Sequence, residues 1–178
     1  GDTSLLDGLS EPGAVVAVVG ARKATSYGLD VARELSAALA LTEITIVSGM
    51  ALGIDSEAHR GALESGGTTV AVLAGGADIP YPASHAALHR QIAERGTVLS
   101  ELPPGTEPLR WMFPARNRLI AALSAMTVVV QGGGRSGSLH CRSQQKEPLP
   151  HAGWSALARI WSAAPHKPHR NARSGNCQ

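Results

Sequence analysis

VVAVVGARKATSYGLDVARELSAALA, residues 15–40, passes from an unbroken apolar segment through a glycine loop into a helical repeat. The segment Val15–Val19 has no polar interruption, which suits a parallel strand buried on both faces better than an alternating edge strand. Leu29, Ala32, Leu35 and Leu39 recur at helical spacing beyond Gly28. The same change recurs at Ile44–Val47 into Gly49, at Thr69–Leu73 into Gly75-Gly76, and at Val128–Val130 into Gly132-Gly133-Gly134. A strand, a glycine turn and a helix N-terminus together make an anion site. Repeated along one sheet edge, they point to a binder of nucleotide or nucleic acid.

The remaining elements follow from the same alternation. Helices are expected over Gly28–Ala40, over Ile54–Ser65 closed by Gly66-Gly67, over Ser84–Arg95 with Ser84 as N-cap, and over Ala115–Ser124 with Pro114 near its first position. Strands are expected at Val15–Val19, Ile44–Val47, Thr68–Leu73, Thr97–Leu99 and Ala125–Val130. The result is an α/β, doubly wound, mostly parallel sheet. Residues 1–13 read as a lead-in and 14–139 as the α/β domain. After Leu139 the logic breaks: residues 140–178 hold no Val, one Ile, four of the seven His and both Cys. The expectation there is a shifted reading frame or divergent terminus, against the alternative of a genuine disordered tail.

Charge carries information only locally. The 178 residues sum to +2, yet residues 1–139 hold ten Lys/Arg against thirteen Asp/Glu, and residues 140–178 hold six against one. Six of the ten earlier cations, Arg22, Lys23, Arg110, Arg116, Arg118 and Arg135, accompany strand ends. No apolar stretch approaches the roughly 18 residues that cross a membrane. No secretory signal is legible, and Cys141 and Cys177 lack metal-ligand spacing, so a cytoplasmic location is expected.

The loops narrow the ligand. Gly20–Gly28 lacks G-x-G-x-x-G spacing and a Walker lysine pattern, which argues against NAD, FAD and P-loop chemistry and leaves a wide loop with Arg22, Lys23 and hydroxyls suited to a phosphodiester. In Ser48–Asp55, Gly49 and Gly53 allow close backbone approach; Asp55 reads as a helix cap, or with His59 as an acid–base pair for which no nucleophile is evident. His85 and His89 stand at i, i+4, either on a solvated helix face or as two metal ligands with no third. No metal and no cofactor are expected. In Trp111–Arg118, two arginines open a helix against its macrodipole, a conflict that a bound anion removes, and Phe113 beside them completes the kit for stacking a base and holding its phosphate. The alternative makes Phe113 and Trp111 core filler and pairs the arginines with Glu101 or Glu107.

In order, Gly20-Ala-Arg22 with Tyr27-Gly28, Ser48–Asp55 with Ala58-His59, Gly75–Asp78 with Tyr81-Pro82, Ser100-Glu101, Phe113–Arg118 and Ser136–Leu139 resemble the DNA-processing protein A (DprA/Smf) family. The resemblance covers roughly residues 14–139 and implies for them an extended Rossmann-like DNA-binding domain, incomplete at its C-terminal side. It implies a non-enzymatic protein that binds single-stranded DNA, protects incoming strands in natural transformation and loads the RecA recombinase, with a homodimer as a further implication. It places Arg22 in the family's G-S-R turn and Phe113, Arg116, Asn117 and Arg118 in its F-P-x-R-N-R segment. Ala21 stands where the family usually has Ser, and Gln131 where it commonly has Glu. The DNA-binding set expected is Arg22, Lys23, Ser48, Gly49, Gly53, Arg110, Phe113, Arg116, Asn117 and Arg118. The rival is a nucleoside-5'-monophosphate phosphoribohydrolase of the lysine-decarboxylase-like group, whose loop Gly132–Gly137 loosely resembles, without the glutamate expected after it.

Overall fold

The computed structural model describes residues 15–132; Arg135, the loop beyond Gly132 and the expectations for residues 140–178 lie outside them. Strands β1 (Val15–Val19), β2 (Thr45–Ser48), β3 (Thr69–Val72), β4 (Thr97–Leu99) and β5 (Met126–Val129) form one sheet in the order β4-β3-β2-β1-β5. Every pairing is parallel. Placement between β2 and β5 explains the apolar run of β1: all five of its residues are buried. Ala17 pairs with Val47 on one side and with Thr127 on the other. The chain order reverses at β1, and ligands of open α/β sheets bind outside the carboxyl ends at such a reversal.

Helices α1 (Ser26–Ala40), α2 (Ile54–Glu64), α3 (Ala86–Arg95) and α4 (Met112–Leu123) cover the sheet. Side chains alternate along a strand, so β3 splits between two cores, with Val70 and Val72 in one and Ala71 in the other. Val15, Ala17 and Val19 join Val47, Val70, Val72 and, from α4, Ile120 and Ala121. A second cluster unites Met50, Ala71 and Leu73 with Leu63 of α2 and Leu88 and Ile92 of α3. The sheet is therefore wound on both faces, as the alternation implies.

Several boundaries differ from expectation for identifiable reasons. α1 starts at Ser26 because the Thr25 hydroxyl caps it, accepting from Gly28 N at 3.2 Å. Its buried residues are Gly28, Ala32, Ser36, Leu39 and Ala40, while Leu29 and Leu35 are only half-buried. Small residues suit close packing: a Cβ on Gly61 of α2 would lie 2.1 Å from the Arg33 carbonyl of α1. Ser84 is not an N-cap. It sits inside a 3-10 turn, Ala83–His85, and α3 follows without a side-chain cap. α4 begins at Met112 rather than Ala115, with Pro114 still in the first turn, where a missing N–H costs no intrahelical bond.

Candidate nucleic-acid interface

The carboxyl edge gathers three segments that are distant in sequence. Arg22 comes from the loop after β1, Tyr81 from the loop after β3, and Phe113 from the first turn of α4. The Arg22 guanidinium carbon lies 4.8 Å from the Phe113 ring centroid. The Tyr81 ring lies 5.4 Å from the same centroid, tilted by 49°. Such a cation and ring pair attracts electrostatically and leaves aromatic surface for a further planar group. Tyr81 is 45% exposed, so much of its surface faces water. Sequence reasoning missed Tyr81 as a site residue. The available signal was an aromatic in a glycine- and proline-rich loop following a strand.

The loop after β1 is held from both sides. Ala21 N donates to Gln131 O at 2.7 Å, and Thr25 N and Oγ1 donate to Gln131 Oε1 at 3.0 and 3.2 Å. Ile54 N donates to Ala21 O at 3.3 Å and Gly20 N to Asp55 Oδ1 at 3.3 Å. Gly53, with φ of 81°, sits where a Cβ would meet Ala21 O at 2.3 Å. These ties leave Arg22 and Lys23 exposed on the loop. Arg110 is exposed on the segment leading into α4. Among the described residues none of the three has an ion-pair partner.

The structure reassigns several expected contacts. The Ser48 hydroxyl is buried and donates to Val18 O at 2.6 Å, so its hydrogen serves the sheet. Gly49 is buried as well, and its missing side chain makes room for Arg116: a Cβ there would lie 2.6 Å from Arg116 Nη2. Arg116 is only 6% exposed, and its Nη1 donates to Gly49 O at 2.8 Å and to Val72 O. With α4 starting at Met112, Arg116 and Arg118 lie beyond the first turn, and the supposed conflict with the macrodipole disappears. Asn117 Oδ1 accepts from Arg116 Nε at 3.3 Å. Arg118 is exposed but paired with Glu101, as the alternative had it. Gly53, Phe113, Arg22, Lys23 and Arg110 remain on the edge.

The histidines and Asp55 are committed elsewhere. Asp55 is not the helix cap, which is Gly53; its buried carboxylate braces Gly20 instead. Burial pushes the Asp55 carboxyl above the usual range, while Arg116 and backbone N–H donors pull it back. His59 is fully buried, and its Nδ1 donates at 2.7 Å to Thr69 Oγ1, which gives its own hydrogen to Ile46 O. Burial, then the charges of Arg116, His85 and Arg60, lowers the His59 pKa to about 3. An imidazole held neutral in this way cannot cycle as an acid–base partner near neutral pH. His85 and His89 share no solvated face: His85 is buried with Nδ1 on Met50 O at 3.2 Å, and His89 Nε2 donates to Ala77 O at 2.8 Å. Among the described residues no group of three or more His, Cys, Asp or Glu is placed to hold a metal ion. No described helix is long and apolar enough to cross a membrane.

Fold and edge together define a class: a Rossmann-like, all-parallel α/β protein with a cation–aromatic platform at its topological reversal. The model of the family described as DNA recombination-mediator protein A matches residues 6–147, past Leu139, and the chain belongs to that family. A relative from Mycobacterium tuberculosis is 49% identical over 160 residues, 89% of this chain and 39% of the relative. The DNA processing protein DprA of Bacillus subtilis is 40% identical over 139 residues, 78% of this chain and 46% of that protein. The chain thus spans less than half the length of these two relatives. Among solved structures, DNA processing protein A from Helicobacter pylori, described for its single-stranded DNA binding mode, superimposes with a TM-score of 0.72 at 32% identity. That match covers 92% of this chain and 78% of the other.

Proposed function

We propose that this chain is a single-stranded DNA-binding module that works by binding and not by turnover. The observation that carries the reading is the Arg22–Phe113–Tyr81 cluster, assembled from three segments at the carboxyl edge. A base stacks on exposed aromatic surface, and the neighbouring phosphates meet Arg22, Lys23 and Arg110. Single strands suit this arrangement because their bases are free to stack, whereas a duplex hides them. Membership of a family of DNA recombination mediators, and the similarity to a protein described for its single-stranded DNA binding mode, support the same ligand. On this reading the bound strand is protected during natural transformation and passed to the RecA recombinase, and the module works as a homodimer in the cytoplasm. The test is fluorescence-anisotropy titration of labelled oligo-dT at two salt concentrations, with duplex competitor. Tight binding that weakens steeply with salt and resists duplex competition is expected; equal competition by duplex overturns the proposal. Sedimentation with and without oligonucleotide tests the dimer, and RecA filament assembly on the bound strand tests the loading step.

A further inference from the structure

The carboxyl ends of β2 and β3 converge on the buried Arg116, and the end of β1 meets the buried Asp55. Arg116 Nη1 donates to Gly49 O, just after β2, and to Val72 O, the last residue of β3. The Asp55 carboxylate accepts from Gly20 N, just after β1, and senses the Arg116 charge. The ends of parallel strands leave carbonyls that require donors when buried. Arginine suits the task because one planar fork reaches several acceptors at once. Gly49 completes the fit, since a Cβ would lie 2.7 Å from both Arg116 Nη1 and Cζ. Phe113 stands three residues before Arg116 on α4, where residues at that spacing are neighbours on the helix surface.

We infer that Arg116 is a positioning residue, a buried strut that fixes the first turn of α4 against the ends of β2 and β3 and so sets Phe113 at the edge. Strand affinity then depends on Arg116 although its guanidinium touches no phosphate. For its binding arm the inference rests on the single-stranded DNA reading above.

The experiment compares Arg116→Lys, Arg116→Met, Gly49→Ala and Gly49→Ala/Arg116→Met with the unaltered chain and with Arg22→Ala. Each is read by thermal unfolding and by oligo-dT titration across a salt series. Arg116→Met is expected to weaken oligo-dT binding about tenfold, in the range of one lost stacking contact, with the salt slope of the unaltered chain. Arg116→Lys keeps the charge but not the fork, and is expected to behave like Arg116→Met. Gly49→Ala displaces the guanidinium with every charge retained; it too should weaken binding at unchanged slope, and it keeps the test decisive if Arg116→Met does not fold. A phosphate ligand gives the opposite pattern: affinity rescued by Lys, and a shallower slope in Arg116→Met, as in Arg22→Ala. Either result overturns the inference. The unfolding arm needs no DNA. Gly49→Ala should lower Tm strongly in the unaltered background and much less beside Arg116→Met; additive shifts overturn the strut. If the unaltered chain fails to bind oligo-dT, the DNA reading falls, and the Tm coupling still decides the strut.

Discussion

The Arg22 guanidinium carbon sits 4.8 Å from the centre of the Phe113 ring, so the loop after β1 and the first turn of α4 meet over one aromatic face. Both residues lie at the carboxyl edge, where the strand order reverses. Arg22 thereby lends positive potential to the ring cluster while staying exposed, and on the proposed reading that exposure leaves it available to a phosphate.

Phe113→Ala and Tyr81→Ala each remove a ring from the cluster. Each is expected to weaken oligo-dT binding by about 1–3 kcal/mol, the usual worth of one base–aromatic contact. Tyr81→Phe should retain most of the affinity, because the ring and not the hydroxyl does the stacking. Anisotropy titrations at fixed salt check this; a Tyr81→Ala variant as tight as the unaltered chain removes Tyr81 from the site.

Arg22→Ala, Lys23→Ala and Arg110→Ala each take one unpaired cation from the edge. Each should make the log–log salt slope shallower by about 0.7, the value for one single-strand phosphate contact. Ser48→Ala should leave that slope unchanged, since the hydroxyl is spent on Val18 O. Arg118→Ala should have a smaller effect than Arg22→Ala because Glu101 already offsets its charge.

Acid should destabilise the fold through His59. Its folded pKa of about 3 lies below the unfolded value, so the unfolded chain binds the extra proton between about pH 6.5 and 3. The His59 contribution is complete above about pH 6.5 and is lost as pH falls through that window, at up to about 1.4 kcal/mol per pH unit. Asp55, whose burial raises its pKa, acts in the opposite direction above the usual carboxylate range and offsets part of the loss. Urea midpoints at pH 7 and pH 5 measure the sum. A His59→Asn variant should show a flatter pH dependence; an equal dependence in both proteins removes His59 as its source.

Gly61→Ala should cost about 1–3 kcal/mol, because the added Cβ has backbone and not a movable side chain in its way at 2.1 Å. Gly66→Ala meets no neighbour within 4 Å, though its φ of 77° still penalises an L side chain. The larger loss in unfolding free energy is therefore expected at Gly61.

Incubation with AMP should release no adenine, because the proposed module holds phosphates without cleaving a glycosidic bond. Release at a rate proportional to protein, surviving a Phe113→Ala substitution, supports the phosphoribohydrolase rival instead.

Much of the fold was legible in one dimension. An apolar run that ends in glycine and hands over to helical spacing is a local signature, and four of the five strands lie at such runs; β4, followed by Ser100-Glu101, was legible from its short apolar segment alone. Phe113 and the cations Arg22, Lys23 and Arg110 were also legible as an edge set, because strand ends in a parallel sheet share one side. The burial of Arg116 was not legible for a physical reason. A charged residue flanked by Asn117 and Arg118 looks solvated, and nothing local shows that Gly49 leaves a hole for it or that two strand-end carbonyls await its donors. The burial of His85 and of the Ser48 hydroxyl was hidden in the same way: their partners are backbone carbonyls distant in sequence.

Local chemistry in the chain itself thus settled which residues become strands, helices and turns, since periodicity and glycine act over a few positions. Packing alone settled the spatial order β4-β3-β2-β1-β5, the meeting of Tyr81, Phe113 and Arg22, and the division between buried and available arginines. Those outcomes depend on which distant atoms come to fill, or leave open, the space around each side chain.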